Sequence, residues 1–283
     1  MSIRDVMARP VLPAALTLLA LLFVSAPGLL ARQEPAQTPA PKLTLEQQEA
    51  FLKTAKVVRA RGVNRGVTGT LRATLSDGTL THDASIQTID EYMTEFKSNR
   101  GVELNFRDTW RYNVAAYRLD RLLELNMIPP SVERPYNGKP GSFTWWVDDV
   151  IMDESERLKT RRQAPDTNAW NEQMWHVRFF DQLIYNVDRN LGNLVIDKHW
   201  TIWMIDHSRA FRLHREIKTP DNLSKLDRKV FERLKALDEP QLQKVMENYL
   251  TRPELRALLQ RRDDIVARLE KAGPSALIDR AAR

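Results

Sequence analysis

At 283 residues, 42% of them hydrophobic and 8% aromatic, the chain is long enough to bury a sizeable core and suits one bilobed domain or two small ones. Lys and Arg outnumber Asp and Glu by 43 to 37, but the bases are interspersed with acids, so the surface reads as solvated and no specific nucleic-acid partner is expected. With no cysteine, disulfides, thiolate metal sites and cysteine nucleophiles are excluded.

In chain order, Arg4 and Arg9 precede a mostly apolar run from Val11 to Ala31, and a Pro-rich stretch, QEPAQTPAPK, follows Arg32. Residues 1–32 are expected to be a signal peptide or membrane anchor and 33–43 a linker. Pro13, Pro27 and Gly28 would interrupt a helix, so cleavage near Ala31 and retention in an inner membrane both stay open. Either outcome predicts an extracytoplasmic or periplasmic body, provided the positive flank stays inside.

Thr44 with Gln47 forms a capping-box pattern that predicts a helix over 45–54, and Val57-Val58 then turns β-like. Leu71, Ala73 and Leu75 alternate before Asp77-Gly78, and Leu80, His82, Ala84 and Ile86 alternate after it, which predicts a hairpin preceded by a further strand. Tyr112, Ala115, Ala116, Leu119, Leu122 and Leu123 recur at helical spacing, ending at Asn126 before Pro129-Pro130. A strand pair is expected around Asn137-Gly138, with VDDVIMDESE leading away as a connection and 158–169 as a loop. Trp170, Met174, Val177, Phe180, Ile184 and Val187 predict a long helix, and LVI with TIWMI a short hairpin. Asp238 with Pro240 and Thr251 with Pro253 mark later helix starts, and Gly273-Pro274 a stop.

The long helix runs into YNVDRNLGN. Asp188 is followed five residues later by Asn193, and Asp206 sits at the far end of the predicted hairpin, so the chain doubles back toward Asn193. Phosphoryl transfer needs a carboxylate beside the attacking hydroxyl and oxygen ligands for Mg²⁺, and the kinase template has this Asp-to-Asn spacing with a further metal-binding Asp. The bland alternative makes Asp188 and Asn193 turn residues and Asp206 a cap. His199 and His207 lack a partner at helical spacing and read as exposed or hydrogen-bonding histidines. Gly66, Thr68 and Gly69 form a candidate phosphate cradle on a strand-to-strand turn, although Gly62 lies four residues before Gly66 where the template has two; an ordinary hairpin connection is the alternative.

NVDRNLGN followed by MIDHSRAF resembles the catalytic and metal-binding loops of the atypical kinase-like superfamily, which includes phosphatidylinositol kinases, HipA-type kinases and secretory-pathway Golgi casein kinases. The resemblance covers roughly residues 50–215. It implies an α+β, bilobed protein-kinase-like fold with a β-rich N-lobe (44–147) and a helical C-lobe (148–283), binding ATP and Mg²⁺. By motif position, Asp188 matches the catalytic acid/base, Asn193 and Asp206 the metal ligands, Arg189 a support for the loop, and the backbone around Val147, from Trp145 to Asp148, the adenine contact.

The pattern departs from the family where a strand Lys should pair with a helix Glu: those positions read Gln87, in ASIQTID, and Asn113, in RYNVAAY. Loss of both charges together is self-consistent, because an amide pair can hydrogen-bond neutrally. A neutral Gln cannot offset phosphate charge, so Arg72, Lys97, Arg100 and Arg107 are candidate substitutes. The leading expectation is an extracytoplasmic phosphotransferase acting on an acceptor hydroxyl of protein, lipid or small molecule. The alternatives are a pseudokinase that binds nucleotide or a partner, and metal-dependent phosphoester hydrolysis by Asp188, Asp206 and a histidine. Membrane association through the N-terminal segment is also expected.

Overall fold

Thr44 caps the first helix: its Oγ1 accepts from the Gln47 N–H at 3.3 Å while Gln47 Oε1 accepts from the Thr44 N–H at 2.8 Å, the predicted reciprocal box, and α1 runs Leu45–Thr54. The computed structural model describes residues 43–63, 69–98, 101–186 and 189–279. The expected export segment, residues 33–42 of the linker, Gly66, Thr68, Arg100 and Asp188 lie outside them.

Strands β1 (Lys56–Gly62), β2 (Leu71–Ser76) and β3 (Thr81–Gln87) form an antiparallel meander. Asp77 Oδ1 accepts from the N–H groups of Thr79 and Leu80, and Gly78 takes φ +94°, so the Asp-Gly turn sets the register Ser76 to Thr81. Next comes a separate two-stranded ribbon, β4 (Asp90–Ser98) with β5 (Gly101–Thr109), for which the sequence reading has no element. Tyr92, Met93, Val102 and Leu104 are all exposed on it. A ribbon with apolar residues left in solvent lacks the clean apolar-in, polar-out alternation that marks a half-buried strand.

Helix α2 (Arg111–Leu123) follows, and then β6 (Ser131–Glu133) and β7 (Ser142–Trp145) pair across Asn137-Gly138. Both turn residues are left-handed, at φ 49° and 77°, as a two-residue hairpin turn requires. β7 docks on β3 to complete a five-stranded sheet ordered β1-β2-β3-β7-β6. Phe51 and Leu52 of α1 and Ala55 at its C-terminal cap cover it by packing on Leu75, Ile86, Val132, Phe143 and Trp145. Each buried side chain of this size is worth about 1.5–3 kcal/mol of transfer free energy.

Residues 146–149 lead out of the sheet. Two expectations are corrected here: VDDVIMDESE is more than a connection, because it contains β8 (Val150–Asp153) and the start of α3 (Glu154–Thr160), and the loop 158–169 shrinks accordingly. β8 exists because its partner β9 arrives from far along the chain, and α3 is too short to show an apolar stripe. Helix α4 (Thr167–Leu183), capped by Asp166, precedes β9 (Leu194–Asp197) and β10 (Ile202–Met204), which with β8 make a three-stranded sheet. The rest is β11 (Leu226–Asp227), α5 (Arg228–Ala236), α6 (Glu239–Met246), α7 (Arg252–Ala272) and β12 (Leu277–Ile278). Leu119 and Leu123 of α2, Phe180 and Leu183 of α4, Ile196, Met204, Leu258 and Ile265 share one core. The chain thus has the expected sheet-rich first part and helical second part. No helix among the described residues is long and apolar enough to cross a membrane.

Candidate active site

The end of α4 delivers the loop. Tyr185 turns left-handed at φ 48°, and the Asn186 N–H returns to the Asp181 carbonyl at 2.9 Å, which breaks the helix just before residues 187–188. On the other side, Leu191–Asn193 form one 3₁₀ turn that leads straight into β9. Asp197 then closes the β9–β10 hairpin by accepting from the backbone of His199 and Thr201 and from Trp203 Nε1 at 3.0 Å. That tight return brings the Ile205 N–H onto the Asn193 carbonyl at 3.0 Å, so Asp206 lies beside the Asn193 turn, in a left-handed conformation at φ 56°.

Arg189 fastens both arms. Its NH1 donates to the carbonyls of Asn193 (3.2 Å) and Ile205 (2.9 Å), its Nε and NH2 grip the Asp181 carboxylate, and its NH2 meets His207 Nε2 at 2.9 Å. Burial and then the Arg189 charge hold the fully buried His207 well below its usual range. The ring is therefore neutral and accepts at Nε2. Both histidines carry out the hydrogen-bonding or exposed roles expected: His207 is buried here, and His199 is exposed.

Across the cleft runs a chain of amides whose polarity is dictated from one end. The His207 N–H can only donate, so Asn113 turns Oδ1 to it at 2.8 Å. Asn113 Nδ2 must then donate to Gln87 Oε1, leaving Gln87 Nε2 to donate to Thr70 Oγ1 at 2.9 Å and Asp206 Oδ1 at 3.3 Å. Gln87 and Asn113 therefore meet, as their replacement of the Lys-Glu pair suggests. Ser208 Oγ adds a second bond to Asp206 Oδ1 at 3.2 Å, while Oδ2 receives none from a described residue.

These groups line one cavity of about 510 Å³ between the five-stranded sheet and the helical part. Gln87, Asn113, Trp146, Val147, Gly192, Asn193 and Asp206 contribute to it, with Asp153 and Glu156 from the start of α3. Val63 and Thr70, on either side of residues 64–68 in the chain, reach it too; Gly69 takes φ +64°. The walls near Val147 are apolar, with Ile128, Ile151, Met152 and Met204. Trp145 belongs to the sheet's core and stacks on His82.

None of the proposed substitute cations is among the described residues of this cavity. Arg72 donates to Asp83 at 2.7 Å and lies over the Trp146 ring, Lys97 is 78% exposed beside Glu95, and Arg107 sits 4.0 Å from Glu254. Asn193 and Asp206 are hard oxygen donors lining the same space, a set that would fit a hard divalent cation if water and phosphate supplied its other ligands. Among the described residues no three His, Cys, Asp or Glu side chains cluster as a metal site on their own.

The sequence points to Arg189 as a support but not to Asp181 or Arg261. Asp181 sits one helical turn and a bend before the loop, and its approach to Arg189 is a local signal that could have been found. Arg261 could not: from α7 its Nε donates to the Leu183 carbonyl at 2.8 Å, and its NH1 to the carbonyls of Arg212 and His214, tying the end of α4 to the segment after Asp206. It is fully buried, and burial lowers it to about 10.

The five-stranded sheet, the connecting residues 146–149, the loop-bearing α4 and the β9–β10 hairpin in this order give the chain a kinase-like fold. Solved structures bear this out. Hydra Fam20 with sugar superposes with a TM-score of 0.63 at 15% identity over 84% of this chain and 93% of that one. The Golgi casein kinase gives 0.55 at 13%, over 83% and 77%, and its form with Mn/ADP bound gives 0.54 at 13%, over 82% and 76%. No family model and no curated protein matches the sequence.

Proposed function

We propose that the chain is a kinase-like phosphotransferase that moves the γ-phosphate of ATP to an acceptor hydroxyl. One observation carries the reading: Asn193 and Asp206, separated by a hairpin, open into the same interlobe cavity as Val147 and the Gln87–Asn113 pair. Adenine lies against the apolar wall near Val147. Asn193 and Asp206 hold the divalent cation, Mg²⁺ by preference, and a solved structure of similar fold with Mn/ADP bound supports that ligand class. The bound cation supplies charge neutralisation for the phosphates. Asp188, in the loop that Arg189 braces, orients the acceptor hydroxyl and takes its proton as the new O–P bond forms and the bond to the ADP leaving group breaks. The apolar segment at 11–31 supports export or anchoring of the body outside the cytoplasm.

Asp188→Asn should cut transfer from labelled ATP by about a hundredfold or more, while leaving the thermal shift with nucleotide and Mg²⁺ in place. Unchanged turnover removes Asp188 from the chemistry. A second reading, a nucleotide-binding pseudokinase, is favoured by the amide pair itself; a ligand-induced thermal shift without transfer to any acceptor class, and without ATP hydrolysis, would select it.

A further inference from the structure

The amide pair does more than remove a charge. Every donor it has is spent: Gln87 Nε2 on Thr70 and Asp206, Asn113 Nδ2 on Gln87 and, at 3.5 Å, on Ser142 Oγ. A Lys-Glu pair and a Gln-Asn pair have the same net charge of zero, but the ion pair directs its cation toward the ligand, whereas this pair turns its outermost N–H groups to a threonine hydroxyl and a carboxylate. The cavity around it carries three further features of one sign. Asp206, Asp153 and Glu156 all line it, and no Lys or Arg does so among the described residues. A bare polyphosphate entering this space meets carboxylates and no free donor from the pair, so neither the pair nor any Lys or Arg among the described residues offsets its desolvation.

We infer that nucleotide enters this cleft only as its divalent-cation complex, the Gln87–Asn113 pair making the cation a condition of binding as well as of transfer. The inference rests on the nucleotide site proposed above and assigns these two residues the role of excluding metal-free nucleotide. Asp206, Asp153 and Glu156 would repel the bare polyphosphate and would do so less when a bound cation lowers its charge. Ribose and adenine contacts, made on the other side of the cavity, are indifferent to it.

The test is calorimetric titration of the full chain with ADP and ATP in Mg²⁺, in Mn²⁺ and in EDTA, with ATP turnover followed in parallel. Binding in either cation that weakens by roughly a hundredfold or more in EDTA is the expected result. The double variant Gln87→Lys/Asn113→Glu, which restores a directed ammonium, should regain binding in EDTA; should it fail to fold, the wild-type comparison still decides. Metal-free affinity within about tenfold of the complex's overturns the inference and leaves the phosphotransfer reading intact. Arg65 precedes Gly66 in the sequence, outside the described residues; metal-free binding that vanishes in Arg65→Ala also overturns the inference, moving the phosphate compensation to that segment. No binding under any condition removes both the inference and the nucleotide site on which it stands.

Discussion

The two faces of the cleft are held by opposite electrical means. On the sheet side, Asn113 and Gln87 relay hydrogen bonds from the His207 N–H to Asp206 without a formal charge between them. Behind the loop, Arg189 places a mostly buried guanidinium, 12% exposed, on Asp181, His207 and two carbonyls. Both devices close on the same few residues, 205 to 207, yet one spends no ion and the other spends a salt bridge. A buried charge is tolerable where several fixed acceptors surround it, as they do Arg189, and costly where one partner is lost. The positive charge sits behind the loop, and among the described residues no Lys or Arg lines the cavity wall.

Breaking the charged device should cost most. Arg189→Met leaves Asp181 without its cation and frees both loop carbonyls; urea unfolding should register a loss of about 3–5 kcal/mol. Breaking the neutral device costs less, because no ion is stranded: Asn113→Ala leaves the His207 N–H and Gln87 Oε1 unpaired, for about 2 kcal/mol by the same measurement. A loss from Asn113→Ala equal to that from Arg189→Met would erase the distinction between the two devices.

Asp120 sharpens the comparison, because it lies further along α2 from Asn113 with neither device. It is fully buried, accepts from the Met127 N–H at 2.9 Å through Oδ1, and has no partner at Oδ2. Burial pushes its carboxyl up to about 7, against the hydrogen bonds that favour the anion. The folded chain therefore retains a proton that the unfolded chain has already released. The stability this gives is complete below about pH 4 and is lost as pH rises to 7. The difference between wild type and Asp120→Asn cancels the other titrating groups. The variant should gain on the wild type by about 1.4 kcal/mol per pH unit at most across that window, the smallest effect at any single step. A flat difference would show that Asp120 is ionised in the fold.

How much of this could be read beforehand follows from where each signal lies. Capping at Thr44, the Asp-Gly and Asn-Gly turns and the stripe of α2 are written in neighbours, and so was the return of Asp206 toward Asn193 through a short hairpin. The Gln87–Asn113 contact was reachable only through the Lys-Glu pair that the motif's resemblance implies at those positions. β8 and the β4–β5 ribbon were missed for different reasons: one depends on a distant strand, the other has exposed apolar residues that blur its period. Arg261 is the plainest case, since nothing near it in sequence announces what it will brace.

That brace has a consequence for how the molecule is made. A ribosome releases Asp188, Asn193 and Asp206 well before Arg261, and chains acquire structure from the N-terminus onward as they emerge. Until α7 is synthesised, the stretch after Asp206 and the end of α4 have no guanidinium between them. A chain arrested or clipped ahead of residue 261 would carry every candidate catalytic side chain and still lack the strut that sets them, so competence arrives late, with nearly the whole polypeptide in hand.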